Sequence, residues 1–493
     1  MCGLFEDTKD PPDLTLLRPE EGLGIALADL DALLLEGSTG GDDGLDPATR
    51  PVPPAAAVAA FVARHFAPPP ASTLHLGLGP PRGYDGPGPT ALVASVTPPA
   101  RPVARALLDV WPLICGGWGE DPPPARVQPG GTLRLPPGPF VVPGDRFREP
   151  YYWDSLWSIR GLVASGLADA ARDATLTLAR ECLETGFVPN GGRMYYRRRS
   201  QPPVLGAAIE AAFLGLRPWG GTGGVGEGEP TDGPQIRTWS PAWLAASGID
   251  RIDVETVADA LEIELTHWGS GAKRVVVDAH DDATKVRVGG AADAGEPGRT
   301  APVLLSRYRA NSDCPRPEAY RWDLTVATGG GGRGDDDAPP ATAAEAAMAL
   351  AAPAARRVCR ELSTAAESGW DFSTRWLLGT TPHTLAQTRC SRFLPTDLNA
   401  FLARAEWTLG GLREALGDAA GGDRWRAAGR RRAAAIHRLM WSSVSAAGGG
   451  GRTRPRPPLH RPLPHSAPLH SPPLSRPPFP ADPGLLARRR APR

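Results

Sequence analysis

An all-α toroid of paired helices is what this sequence predicts, and three observations carry the expectation. Apolar residues recur at three- and four-residue steps in several long segments, as one buried helix face requires. Strand signals are few, the best being the short run Arg274-Val275-Val276-Val277-Asp278. Arginines, carboxylates and aromatic rings concentrate instead in the loops between the helical segments.

Residues 1–55, with Gly40-Gly41-Asp42-Asp43-Gly44, read as a poorly ordered N-terminal segment. A short helix is expected over 55–66, and a second over 102–115 carrying Leu107, Leu108, Val110 and Trp111. The ordered heart begins near Pro137 with a helical pair, 154–165 and 168–185. In the second of these, Ala171, Ala174, Leu178, Ala179, Cys182 and Leu183 share one face. Gly186 should close it, because a residue without Cβ adopts the left-handed C-cap conformation at little cost. Further helices are predicted over 205–215, 254–268, 342–367, 397–415 and 423–441. In the fourth of these, Leu398, Phe401, Leu402, Ala405, Leu409 and Leu412 align.

Glycine-rich stretches at 216–240 and 328–341 read as disordered insertions in a domain spanning 56–441. Residues 442–493 read as a disordered tail, since from Gly448 onward Pro, Arg, His, Ser and Leu follow no helical period. Such a segment buries too little apolar area to offset its ordering entropy.

The 493 residues suffice for one large domain or two ordinary ones. Lys plus Arg equals Asp plus Glu at 54 each, for a net charge of zero. That balance argues against nucleic acid or an anionic membrane as the main partner and suits a neutral substrate. No apolar stretch reaches the roughly 18 residues of a membrane span. The six cysteines (Cys2, Cys115, Cys182, Cys314, Cys359 and Cys390) are scattered. None forms a CxxC pair, and no Cys/His cluster has zinc spacing, so reduced thiols and no metal are expected. The N-terminus shows no basic start followed by an apolar run, which makes a cytoplasmic compartment the default and secretion the alternative if the true start lies elsewhere.

Four loops concentrate the chemistry. The first runs Val142-Pro143-Gly144-Asp145-Arg146-Phe147-Arg148-Glu149-Pro150-Tyr151-Tyr152-Trp153-Asp154. The second is Val188-Pro189-Asn190-Gly191-Gly192-Arg193-Met194-Tyr195-Tyr196, continuing to Arg199-Ser200-Gln201-Pro202-Pro203. Arg316-Pro317-Glu318-Ala319-Tyr320 is the third, and Glu367-Ser368-Gly369-Trp370-Asp371-Phe372-Ser373-Thr374-Arg375-Trp376 the fourth. Flat rings offer apolar faces to sugar C–H surfaces, while Arg, Asn, Gln and carboxylates supply directional partners for many hydroxyls. Arginine beside carboxylates also keeps acids in a dry pocket from all protonating. Cleaving a glycosidic bond takes two carboxyl groups, one giving a proton to the leaving oxygen and one activating water or attacking.

On these residues the chain resembles the trehalase family. The first loop is similar to that family's P-G-G-R-F-x-E-x-Y-x-W-D, and the second to its P-N-G-x-R…R-S-Q-P-P. The fourth resembles E-S-G-W-D-F-S-x-R-W, and Leu394-Pro395-Thr396-Asp397-Leu398-Asn399-Ala400 resembles P-V-D-L-N-A. The likeness is strong over 135–205, 310–325 and 355–402 and extends over about 57–441. It implies an (α/α)6 barrel that hydrolyses α,α-trehalose to two glucoses with inversion, without metal or other cofactor. It also implies that Asp371 is the general acid. Arg146, Trp153, Asp154, Asn190, Arg199, Ser200, Gln201, Arg316, Glu318 and Gly369 would then line the glucose-binding pocket. An acid in that role should have a raised pKa.

Two departures accompany the likeness. Asp145 stands where the family has Gly, which alters the turn before Arg146. The family's Q-W-D-x-P-x-G-W-A-P signature and its later Glu base have no counterpart, and the only acidic residue after Trp441 is Asp482. The sequence therefore predicts a barrel incomplete at its C-terminus and a proton donor without its base. A chain that binds sugar without turnover is one alternative; another α-glucosidase on the same toroid is a second. Among the remaining residues, Arg197 and Arg198 read as solvated, and Glu149 and Asp397 as structural. Trp153 reads as both core and pocket wall. Ser200 and Ser368 lack the G-x-S-x-G context of a nucleophile.

Overall fold

Helices dominate the computed structural model, which describes residues 15–16, 55–67, 80–84, 93, 96–117, 138–144, 147, 149–216, 238–279, 284–288, 303–329, 351–379, 383–440 and 460–462. All of these fall in one unit, Met1–Leu463; the second unit, Pro464–Arg493, lies outside the described residues.

The predicted pair forms as α4 (Tyr152–Ala164) and α5 (Ala168–Thr185), after α1 (Ala55–His65), α2 (Arg101–Leu108) and α3 (Trp111–Ile114). Ala171, Ala174, Leu178, Ala179 and Cys182 are buried as one face, but so are Thr175, Leu176 and Glu181 on other faces. A helix buried nearly all round lies inside a layered fold rather than on its surface. Leu183 departs from its predicted face and is exposed. Gly186 caps α5 at φ 84°, its N–H donating to the Cys182 carbonyl at 2.9 Å.

Against α5 packs α8 (Arg251–Trp268), with Val254, Val257, Ala258, Leu261 and Trp268 fully buried and the Cys182 thiol 3.3 Å from the Ala260 carbonyl. It starts earlier than its apolar period suggests because the Asp250 carboxylate accepts the Ile252 N–H at 3.0 Å, an N-cap. Between the two in sequence come α6 (Leu205–Ile209), whose last turn widens into a π-turn over Glu210–Leu214, and α7 (Pro241–Ser247). The Ser240 hydroxyl caps α7 by accepting the Trp243 N–H at 3.1 Å. Residues 217–237 of the predicted insertion lie outside the described residues, but Trp239 and Ser240 belong to this helical neighbourhood.

Farther on are α9 (Tyr320–Ala327), α10 (Pro353–Glu367), α11 (Thr396–Ala415) and α12 (Ala419–Met440). Pro353 opens α10 where its missing N–H would have no helical partner, after an extended Ala352. The predicted stretch from 342 to 350 lies outside the described residues, as does 330–341. A short turn folds α12 back on α11, and glycines let the two meet closely. A Cβ on Gly410 would fall 2.9 Å from the Gly422 carbonyl oxygen. Buried Arg432 of α12 bonds Glu406 at 2.8 and 3.0 Å and Asn399 at 3.0 Å. Asn399 also exchanges hydrogen bonds with the Ser306 backbone, accepting its N–H and donating to its C=O at 2.9 Å each.

Three expectations are corrected. The helix predicted over 102–115 is broken into α2 and α3, and Cys115 turns into strand β1 (Cys115–Gly117), antiparallel to β2 (Pro139–Val141). Of the apolar residues the predicted helix was expected to carry, Leu108 is fully buried, whereas Leu107 and Val110 are exposed, as is Leu113. The single short strand is the centre of a sheet: β3 (Arg274–Ala279) pairs antiparallel with β4 (Thr284–Val288) and β5 (Val303–Ser306), Val276 facing Arg287 and Leu304. Its Val275, Val277 and Leu305 pack on Leu394 and Ala435. The tail also contributes pairing, β6 (Phe393–Pro395) lying antiparallel to β7 (His460–Pro462). The rest of 1–54 and 441–493 lies outside the described residues, apart from Thr15–Leu16, which pairs with Phe66–Ala67.

An edge-on aromatic chain crosses the core from α8 to β6. Trp268, Tyr308, Trp376 and Phe393 follow one another at centroid distances of 5.7, 6.3 and 5.8 Å. Each such pair contributes roughly 0.5–1.5 kcal/mol beyond the area it buries. No helix among the described residues is long and apolar enough to cross a membrane. The described cysteines are free, with Cys115, Cys182, Cys359 and Cys390 buried and Cys314 exposed.

Candidate functional site

The four motif-bearing loops meet through backbone and buried charge. In the first, Glu149 is buried against Arg193 of the second, Oε1 to Nε 2.6 Å. Tyr151 bridges Gly191, and the Tyr152 N–H donates to the Asn190 carbonyl at 3.2 Å. Gly191 is needed for this approach, since a Cβ there would fall 3.0 Å from the Tyr196 ring and 3.1 Å from the Tyr151 ring. The Trp153 N–H donates to Gln201 Oε1 at 2.7 Å, which leaves the Gln201 amide N–H2 as a donor. Trp153 itself is half-buried, edge-on to Trp157 and Phe401. Asp154, in the first turn of α4, is half-buried, and burial raises its carboxyl pKa. Arg146, Asp145 and Arg148 lie outside the described residues.

Within the second loop, the Asn190 N–H donates to the Arg199 carbonyl at 3.0 Å and Arg199 Nε donates to Asn190 Oδ1 at 2.9 Å. Arg199 Nη2 then ion-pairs with Glu318 of the third loop. Ser200 is wholly buried, its hydroxyl donating to the Val188 carbonyl at 2.6 Å and its N–H to Glu367 of the fourth loop at 3.1 Å. Arg316 forks onto Asp323 at 2.7 and 2.9 Å, and its guanidinium lies over the Phe372 ring at 4.9 Å. Arg197 and Arg198 are exposed, as expected of solvated arginines.

The fourth loop leaves α10 through a tight reversal. Ser368 stacks its hydroxyl on the Ala365 carbonyl and accepts the Trp370 N–H at 3.1 Å. Gly369 is left-handed at φ 68°, and a Cβ there would press on Pro202 at 3.3 Å. Phe372, at φ 57°, is the one non-glycine with positive φ among the described residues. Such a conformation costs about 1–3 kcal/mol and persists where surrounding contacts over-determine it. Those contacts are the Arg316 guanidinium on its ring and the Trp376 indole N–H donating to the Trp370 carbonyl at 2.9 Å. Arg375 lies between Trp370 and Trp376 and pairs with Asp397 at 3.0 Å, so Asp397 anchors the loop.

Asp371 stands between these two positions of positive φ. It is solvent-exposed by area, yet enough protein surrounds it that burial raises its pKa. Arg316 and Arg199 oppose the rise and Glu318 adds to it, and the sum is upward. Glu318 goes the other way: burial pushes it up, but Arg199 and Arg316 hold it below the ordinary carboxylate range. The same two guanidiniums favour the ionised form of both carboxyls; they outweigh burial at Glu318 but not at Asp371, so the two neighbours shift in opposite directions.

Of the sequence-predicted site residues, Asn190, Arg199, Ser200, Gln201, Arg316, Glu318, Gly369 and Asp371 come together, with Trp153 joined through its backbone. Asp323, Glu367 and Lys273 carry no role in the sequence reading, yet each is a buried partner within this cluster. Asp323 had a usable signal, an acid seven residues after Arg316 at the start of a helix. Among the described residues no group of His, Cys, Asp or Glu could hold a metal ion.

A family model described as Trehalase matches residues 122–446. The trehalase of Oryctolagus cuniculus is 32% identical over 304 residues, covering 62% of this chain and 40% of that protein. The probable trehalase of Oryza sativa subsp. japonica is 29% identical over 348 residues, covering 69% and 49%. The neutral trehalase Nth1 from Saccharomyces cerevisiae is a structural neighbour with 19% identity, 62% of this chain and 46% of that chain covered, and a TM-score of 0.39. The chain spans less than half the length of these relatives.

Proposed function

We propose, because this chain belongs to the trehalase family, that its loop cluster takes α,α-trehalose and that Asp371 protonates the bridging oxygen in a single-step inverting hydrolysis to two glucoses. The observation that carries this reading is the divergence of Asp371 and Glu318: one carboxyl shifted upward by burial beside another that Arg199 and Arg316 hold down. Protonating the leaving oxygen contributes about 10²–10⁴-fold when the donor is positioned. Arg199 and Arg316 are held by Glu318 and Asp323, so neither must reorganise when a sugar enters. The Gln201 amide and the aromatic rings of Trp153 and Trp370 supply donors and flat faces suited to a neutral disaccharide. Arg146 and Asp154 join the pocket in this reading by the family likeness. No metal or cofactor takes part.

Water activation needs a second carboxyl, roughly 6.5–9.5 Å from the first in inverting geometry. A second reading, sugar binding without turnover, rests on the Arg199–Glu318 and Arg316–Asp323 pairs, which fix donors for sugar hydroxyls whether or not water is activated. The test is glucose release from trehalose, with maltose as the comparison, alongside trehalose binding read by tryptophan fluorescence. Turnover of trehalose above maltose supports hydrolysis. Binding alone supports the second reading, and turnover of maltose above trehalose supports a different α-glucosidase. Neither binding nor turnover overturns all three.

A further inference from the structure

Lys273 lies outside all four motif-bearing loops, just ahead of β3, and is buried with 5% of its surface exposed. Its Nζ donates to Glu367 Oε1 at 2.6 Å and to the Arg309 carbonyl at 3.0 Å, and it stands over the Trp268 ring at 4.3 Å. Glu367, fully buried at the end of α10, accepts two further bonds: the Ser200 N–H on Oε1 at 3.1 Å and the Arg309 N–H on Oε2 at 2.7 Å. One carboxylate therefore receives donors from three separate stretches of chain. Two of these stretches, and the carboxylate itself, lead directly to the site. Ser200 lies between Arg199 and Gln201, Arg309 lies on the stretch leading to Arg316, and Glu367 is four residues before Asp371.

We propose that the Lys273–Glu367 pair is a strut that sets where Asp371 stands relative to Arg199 and Arg316, making Lys273 a positioning residue for the reaction. The strut rests on the hydrolysis reading for its consequence, not for its geometry. An ionised carboxylate is acceptor-only and can hold all three donors at once. Without the ammonium, the buried charge lacks compensation. The Ser200 and Arg309 N–H groups are then the remaining donors among the three, and the carboxylate is no longer tied to the Lys273 stretch. The longer reach of the loops then decides their spacing, and a displacement of an ångström at the reacting groups costs roughly 100-fold in rate.

The experiment compares the full chain with Lys273→Met and Lys273→Arg by hydrogen exchange and by kcat and KM for trehalose. In Lys273→Met, exchange should rise together over 198–202, 307–311 and 367–372, while α5 and α11 keep their protection. On the hydrolysis reading, kcat/KM should fall roughly 100-fold with KM rising, and Lys273→Arg should recover part of the loss. A residue that only supports the fold would lower the amount of folded protein and leave KM unchanged. Exchange confined to 268–275, spread evenly, or unchanged overturns the strut. If wild-type protein neither binds nor cleaves trehalose, the functional reading fails, and the exchange pattern still decides the strut. If Lys273→Met does not fold, Glu367→Gln carries the same comparison, with the same three stretches expected to open.

Discussion

The buried residues of α5 and α8, among them Ala171, Ala174, Ala179, Val257, Leu261 and Trp268, belong to one apolar cluster, with the Cys182 thiol touching the Ala260 carbonyl. Around Asp371 the buried groups are instead Arg199, Arg316, Asp323, Glu367 and Lys273, each held by a charged partner. Burial is comparable in the two regions, but its energetics are opposite in kind. The helix interface gains from every Å² removed from water, at roughly 25 cal/mol per Å² of apolar surface. The loop cluster gains little net energy from its ion pairs, because desolvation offsets their attraction; what they supply is fixed geometry and fixed charge. The difference teaches that the core can tolerate changes of shape at a graded cost, whereas the cluster fails when one partner goes.

The largest contrast should appear at Asp371. On the hydrolysis reading, Asp371→Asn lowers kcat by about 10²–10⁴-fold, while its solvent-exposed side chain leaves the thermal midpoint near that of wild type. A midpoint falling in step with activity would blur the contrast. Next comes Arg316→Met, which strands Asp323 in a buried site and should cost about 3–5 kcal/mol of stability in denaturant unfolding. Leu261→Ala, a cavity among apolar neighbours, should cost about 2–5 kcal/mol with no change in KM of the remaining folded protein. A pH-dependent form of the contrast concerns Glu181 and Glu264, which burial pushes from an ordinary 4.5 up to about 8. The folded state then binds more protons than the unfolded chain between those values. Stability is therefore greatest below the lower value and declines as pH rises toward 8. Glu181→Gln should flatten that decline in pH-dependent melting; an unchanged slope would place the titration elsewhere.

The same contrast explains what could be read from the sequence. The helices α5, α8 and α11 were legible because each buries a periodic apolar face within one segment, and Gly186 was legible as a cap because only its local conformation matters. The sheet was not legible beyond β3, because β4 and β5 are short and their pairing depends on partners at a distance in sequence. The break between α2 and α3 was hidden for a related reason: Leu107, Val110 and Leu113 are apolar and evenly spaced, yet they face outward. In the cluster, the loop motifs announced Asp371, Arg199, Arg316 and Glu318. Lys273 and Glu367 stand 94 positions apart, and nothing local to either discloses that they touch.

The measurement closest to the central claim is a carboxyl titration that separates Asp371 from Glu318, by infrared or ¹³C difference between wild type, Asp371→Asn and Glu318→Gln. Asp371 should titrate above an ordinary aspartate and Glu318 below an ordinary glutamate, with Asp371 moving further up in Arg316→Met. An Asp371 that titrates at or below the ordinary aspartate value would contradict its assignment as the proton donor.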